Sequence, residues 1–193
     1  MLGFELGFVL APRGEERLAV NGMDETYRVG ILTISTQGAA GAREDASGEA
    51  IRALVEAEPL RAQIIERAVI PDDRADIERI LREWADARNL QLILTTGGTG
   101  LSPTDVTPEA TRAALDREAP GIAEVMRAES LRHTPFGMLS RGVAGMRGAT
   151  LIINLPGSPK GVRECLGVIM PALPHALDIL TTRVRDHGPA AQG

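Results

Sequence analysis

Cysteine is nearly absent: the 193 residues include one, Cys165, beside a single Trp and a single Tyr. A lone thiol cannot close an intramolecular disulfide and has no partner for a CxxC metal or redox motif, so a disulfide-stapled scaffold is excluded and a reducing, cytoplasmic compartment is expected. Long apolar runs are missing too. None reaches the roughly 18 residues needed to cross a bilayer, and the opening residues carry Glu5 where a secretory leader needs a basic stretch, so neither membrane association nor export is expected. Positive charge is in deficit, with 26 acidic against 21 basic side chains and a net charge of -5. No general field therefore exists to hold nucleic acid, and an anionic ligand must be held by local groups.

The 44% hydrophobic and 24% charged content is that of an ordinary globular domain. At this length one domain with one core is expected. Residues 1–25 have no clean periodicity and contain Pro12 and Gly14, so they read as a loose extension, with Met23 as a second candidate translation start. Residues 26–184 read as the domain and residues 185–193 as a frayed tail.

Short apolar stretches at residues 28–34, 63–70, 90–95 and 149–154 predict buried strands, with the Gly/Ala-rich run 37–41 as a loop. Helical spacing recurs between them. Residues 50–55 have it; Ile77, Ile80, Leu81 and Trp84 fall at i, i+3, i+4 and i+7, with Asp72 or Asp73 as cap. Helices are also predicted over 110–117 and 121–131, along the stripe Val162, Cys165, Leu166 and Ile169, and over 175–183. Strands alternating with helices predict an α/β fold with a mostly parallel sheet covered on both faces. In such sheets ligands sit beyond the carboxyl ends of the strands, where the glycine-rich turns fall.

Thr95-Thr96-Gly97-Gly98-Thr99-Gly100 follows a buried strand and lets backbone N–H groups approach an anion closely. A bare GGTG is equally readable as a tight structural turn, since it completes neither a P-loop nor a GxGxxG motif. Asp105, just beyond it, is placed to hold a Mg²⁺ ion beside phosphates, because Thr107 with Pro108 already supplies a helix cap. Asp72 reads by spacing as a cap, and Glu44-Asp45 as a solvated turn. Leu155-Pro156-Gly157-Ser158-Pro159-Lys160 brings N–H groups, a hydroxyl and an ammonium to a helix start, an arrangement that suits phosphate or carboxylate. Ser158 as cap and Pro159 as first helical residue explain part of that segment; Gly157 and Lys160 are left over. Arg141 could add a positive contact. His133, His175 and His187 have no metal-ligand spacing, and Cys165 lies on an apolar stripe, so all four read as structural or surface residues.

Taken in order, Ile31-Leu32-Thr33-Ile34-Ser35, Glu44-Asp45-Ala46-Ser47-Gly48, Pro71-Asp72-Asp73, TTGGTG at 95–100, DVTPEAT at 105–111 and NLPGSPK at 154–160 resemble the MoaB/Mog family across roughly residues 27–180. The resemblance implies a three-layer α/β/α domain, commonly trimeric, that binds molybdopterin. In its adenylyltransferase members it implies transfer of AMP from Mg-ATP with release of pyrophosphate, and delivery to a downstream molybdenum insertase. It raises Asp72 and Asp105 to catalytic and metal-binding residues. It implies substrate contacts at Ser35, Asp45, Ser47, Thr96, Gly97, Gly98, Thr99, Gly100, Ser140, Arg141, Pro156, Gly157, Ser158 and Lys160. One departure stands out: Thr36-Gln37 occupies the place where family members often have Asp-Arg. That departure leaves open a non-catalytic homologue that carries the pterin without adenylylating it.

Overall fold

A computed structural model describes residues 26–42, 44–57 and 60–181. The expected N-terminal extension, the Met23 start and the frayed tail lie outside these residues. The order is β1 (Tyr27–Ile34), α1 (Thr36–Ala39), α2 (Ala46–Glu56), β2 (Ala62–Ile70), α3 (Arg74–Asp86), β3 (Leu92–Thr96) and α4 (Thr107–Ala114). Then follow β4 (Arg117–Glu118), α5 (Pro120–His133), β5 (Ala144–Arg147), β6 (Thr150–Leu155), α6 (Pro159–Ile169) and α7 (Leu173–Leu180). Six strands form one sheet in the order β2-β1-β3-β6-β5-β4. The first four of that order run parallel, and β5 and β4 continue the sheet antiparallel.

Side chains alternate across a strand, so a strand covered on both faces reads as one continuous apolar run. In β1, Val29 and Ile31 join Leu92, Leu94 and Ile153 in a core closed by α2, α5, α6 and α7. Leu32 and Ile34 point the other way and join Ile93 and Ile152 in a second core closed by α3 and α4. The sheet is therefore the middle of three layers. Trp84 of α3 packs against the backbone of β1, where a Cβ on Gly30 would come 2.7 Å from its ring. Register fixes the functional edge: Ile34 pairs with Ile70, Thr33 with Thr96, and Thr96 with Leu155. Four parallel strands thus end at one level and release their turns side by side.

Several local expectations change. The run expected as a loop at 37–41 begins with the one-turn helix α1, capped by the Ser35 hydroxyl, which accepts from Gly38 N. Arg117–Glu118 is a two-residue strand rather than a helix end, and β5 had no period that marked it. Thr107 is not a capping side chain: α4 starts at Thr107 with no side-chain cap bond, and the hydroxyl donates to Gly97 O instead, at 3.0 Å. Asp73, not Asp72, caps α3 by accepting from Asp76 N at 2.9 Å.

Candidate functional site

The turns after β1, β2, β3 and β6, with the start of α2, enclose a cleft of about 550 Å³. Its wall includes Ser35, Thr36, Asp45, Ser47, Asp72, Thr96, Gly97 and Gly157. Relieved of capping, Asp72 faces this space. One carboxylate oxygen, Oδ2, accepts from the Thr36 N–H at 2.9 Å and the Thr36 hydroxyl at 2.8 Å. Its other oxygen has no partner among the described residues. Thr36 was no site candidate in the sequence, because nothing in a strand-end threonine signals that it will hold a carboxylate from another strand.

Asp45 is no solvated turn. It caps α2 by accepting from Gly48 N at 2.8 Å, accepts from the Thr33 hydroxyl at 3.0 Å and lies 3.6 Å from an Arg67 guanidinium nitrogen. Ser47 donates to Gly157 O at 2.8 Å, and Thr96 donates to Pro156 O at 2.6 Å, tying α2 and β3 to the turn after β6. Ser158 accepts from Gly161 N as the cap of α6, while Lys160, 78% exposed, lies 3.7 Å from Glu164 on the same helix. Neither lines the cleft.

The 97–100 turn is drawn in tightly. Gly97 sits at φ +97°, and a Cβ there would fall 2.2 Å from Ile34 O, so no other residue fits without displacing backbone. Gly98, at φ +61°, faces both Thr107 and Asp72: an added Cβ would lie 3.3 Å from Asp72 Oδ1. At Gly100 an added Cβ would lie 2.9 Å from Asp105 Oδ2. The two carboxylates therefore stand against one turn. Asp105 Oδ2 accepts from Ser102 N at 2.9 Å, and its second oxygen has no partner among the described residues.

Arg141 clamps this turn from outside. Its N–H donates to Thr99 O at 2.9 Å, Nε donates to Gly100 O at 2.7 Å, and the remaining guanidinium nitrogens reach Asp105 O and the Glu109 carboxylate. Burial pushes the Glu109 carboxyl up, but the bonded Arg141 outweighs this and holds it below the ordinary carboxylate range. Ser140, the neighbour of Arg141, accepts from Gly142 N at 3.4 Å and does not line the cleft.

Among the described residues, the cleft wall carries Glu44, Asp45 and Asp72 and no lysine or arginine. A cation would offset the repulsion between these carboxylates and a polyphosphate. Asp72 and Asp105 each offer one unengaged hard oxygen, the donor set that suits Mg²⁺, which is usually held by one or two carboxylates plus substrate phosphates. No cluster of three or more metal-ligating side chains occurs among the described residues, so the arrangement suits an ion shared with a ligand rather than a closed cage.

Residues 30–175 match the family described as "Probable molybdopterin binding domain". A molybdopterin adenylyltransferase of Helicobacter pylori strain J99 is 40% identical over 156 residues, covering 81% of this chain and 89% of that protein. The molybdenum cofactor synthesis protein cinnamon of Drosophila melanogaster is 43% identical over 156 residues, but the chain spans only 26% of its length. Among solved structures, the molybdopterin biosynthesis enzyme MoaB from Thermus thermophilus is 54% identical, with a TM-score of 0.77 over 81% of this chain and 98% of that one.

Proposed function

The chain belongs to the molybdopterin-binding domain family, and from that premise we propose that it adenylylates molybdopterin with ATP and releases pyrophosphate. The observation that carries this reading is the pair Asp72 and Asp105, each half-engaged by the protein, on opposite parts of the 97–100 turn. In adenylyl transfer an oxygen of the pterin phosphate attacks the α-phosphorus of ATP. A phosphoanhydride bond forms there as the bond from the α-phosphorus to the bridging oxygen breaks, and that oxygen leaves as part of pyrophosphate. The nucleophile is already ionised near neutral pH, so no residue has to act as base. Positioning and charge neutralisation are then the protein's main contributions.

Asp72 and Asp105 would hold Mg²⁺, which supplies charge neutralisation on the phosphates. Thr36 fixes the orientation of Asp72, and Ser102 with Arg141 fixes the segment that carries Asp105. The Thr36-Gln37 departure thus leaves the loop with a defined task. Backbone N–H groups of the 97–100 turn, with Ser35, Asp45 and Ser47 in the adjoining wall, would bind the pterin phosphate and ring. The turn at 156–158 would close this side, and Lys160 would act on the ligand only as a charge beyond the wall. A cytoplasmic homotrimer that passes its product to a molybdenum insertase is the setting the family resemblance supports.

The test is pyrophosphate release from Mg-ATP with and without molybdopterin. Molybdopterin-dependent release is the expected result. Pterin binding without turnover would reject the reading and leave a carrier.

A further inference from the structure

A second cavity of about 440 Å³ is lined by Arg74, Leu101, Ser102, Asp105, Glu109 and Arg141. Its charges are unevenly satisfied. Arg141 is paired with Glu109 and bonded to two carbonyls, so that couple is internally neutral. Asp105 has one oxygen bonded and one open. The side chain of Arg74, the first residue of α3, has no hydrogen bond or ion pair with any described residue. Most other arginines of the described region are bound to carboxylates or carbonyls; this one is exposed, two residues from Asp72, in the cavity that also holds Asp105.

Among the described residues, the wall of the main cleft has three carboxylates and no cation, whereas a nucleoside triphosphate brings several negative charges. Coulomb energy therefore separates the ligand's parts: the anionic tail gains from the cavity that offers an unpaired guanidinium, not from the acidic wall. We propose that the cavity lined by Arg74 and Asp105 receives the β- and γ-phosphates of ATP and that Arg74 binds the departing pyrophosphate. The inference rests on the adenylyl-transfer reading for its substrate, and it assigns the pterin phosphate to the main cleft and the leaving group to the cavity that Asp105 lines. As the bond from the α-phosphorus to its bridging oxygen breaks, pyrophosphate takes the electron pair, and Arg74 meets the added negative charge.

The experiment titrates inorganic pyrophosphate, without divalent cation, into wild type, Arg74→Ala and Arg74→Lys by calorimetry, beside steady-state kinetics in Mg-ATP. A guanidinium–phosphate contact predicts a loss of pyrophosphate affinity of about fivefold or more in Arg74→Ala, with partial recovery in Arg74→Lys. KM for ATP should rise by a similar factor while KM for molybdopterin stays within about twofold. Arg163→Ala, at an exposed position of α6, should change neither. A smaller affinity loss, or no pyrophosphate binding by wild type, overturns the proposal. If wild type shows no turnover, the adenylyl-transfer reading falls, and the pyrophosphate titration alone still decides the site.

Discussion

Two glycine-bearing turns lie side by side at the carboxyl edge of the sheet, residues 97–100 after β3 and 156–160 after β6. In sequence both offer free N–H groups and a helix start. Folding separates them by what is left unpaired. The first turn has Gly97 and Gly98 at positive φ and two carboxylates that each keep an oxygen free. In the second, the Ser158 hydroxyl is taken by the α6 cap, Lys160 pairs along its helix, and the carbonyls of Pro156 and Gly157 accept from Thr96 and Ser47. The second turn is a bracket that holds the first in place. Composition alone does not separate a bracket from a ligand cradle; the residual hydrogen-bonding capacity does.

That contrast can be broken by experiment. The largest effect belongs to Asp72→Asn and Asp105→Asn, each expected to slow pyrophosphate release by about 10²–10³-fold with molybdopterin binding retained. Equal losses in Lys160→Ala would erase the distinction between the turns. Next comes Gly97→Ala, whose Cβ meets Ile34 O at 2.2 Å; urea unfolding should show a loss of about 2–4 kcal/mol. Gly157→Ala meets Gly97 Cα at 3.3 Å and Gly97 N at 3.8 Å and should cost less than about 1 kcal/mol.

Arg141→Met removes the clamp and should cost about 2 kcal/mol near neutral pH. Glu109 has a lowered folded pKa, so its ion pair contributes stability above the ordinary carboxylate range and loses it as pH falls through the folded value. Urea midpoints of wild type and Arg141→Met should therefore converge on acidification; parallel curves would remove Glu109 from the account. The smallest effect is Lys160→Ala, expected to raise KM for molybdopterin less than about threefold because an exposed ammonium is screened.

The sheet was legible because β1, β3 and β6 are buried almost throughout and stand out as apolar runs. β4 and β5 were not, being two and four residues at the antiparallel margin, too short for a period to register. At the site, the candidates at strand ends could be placed from topology, as Thr96, Gly97 and Gly157 illustrate. Asp72 and Asp73 could not be told apart by spacing, since a helix boundary shifted by one residue exchanges cap and ligand-facing carboxylate. Thr36 was hidden for another reason: its partner Asp72 lies 36 residues away, and only the pairing of Ile34 with Ile70 brings them together.

Trp84 packed on Gly30 gives the molecule a built-in optical reporter. It is the only indole in the chain, 5% exposed, and it rests on the strand whose end supplies Ser35 and Thr36 from a helix whose start adjoins Asp72. Native emission should be blue, and a red shift should mark separation of α3 from β1. Unfolding of the layer behind the cleft can thus be followed by intrinsic fluorescence without any label.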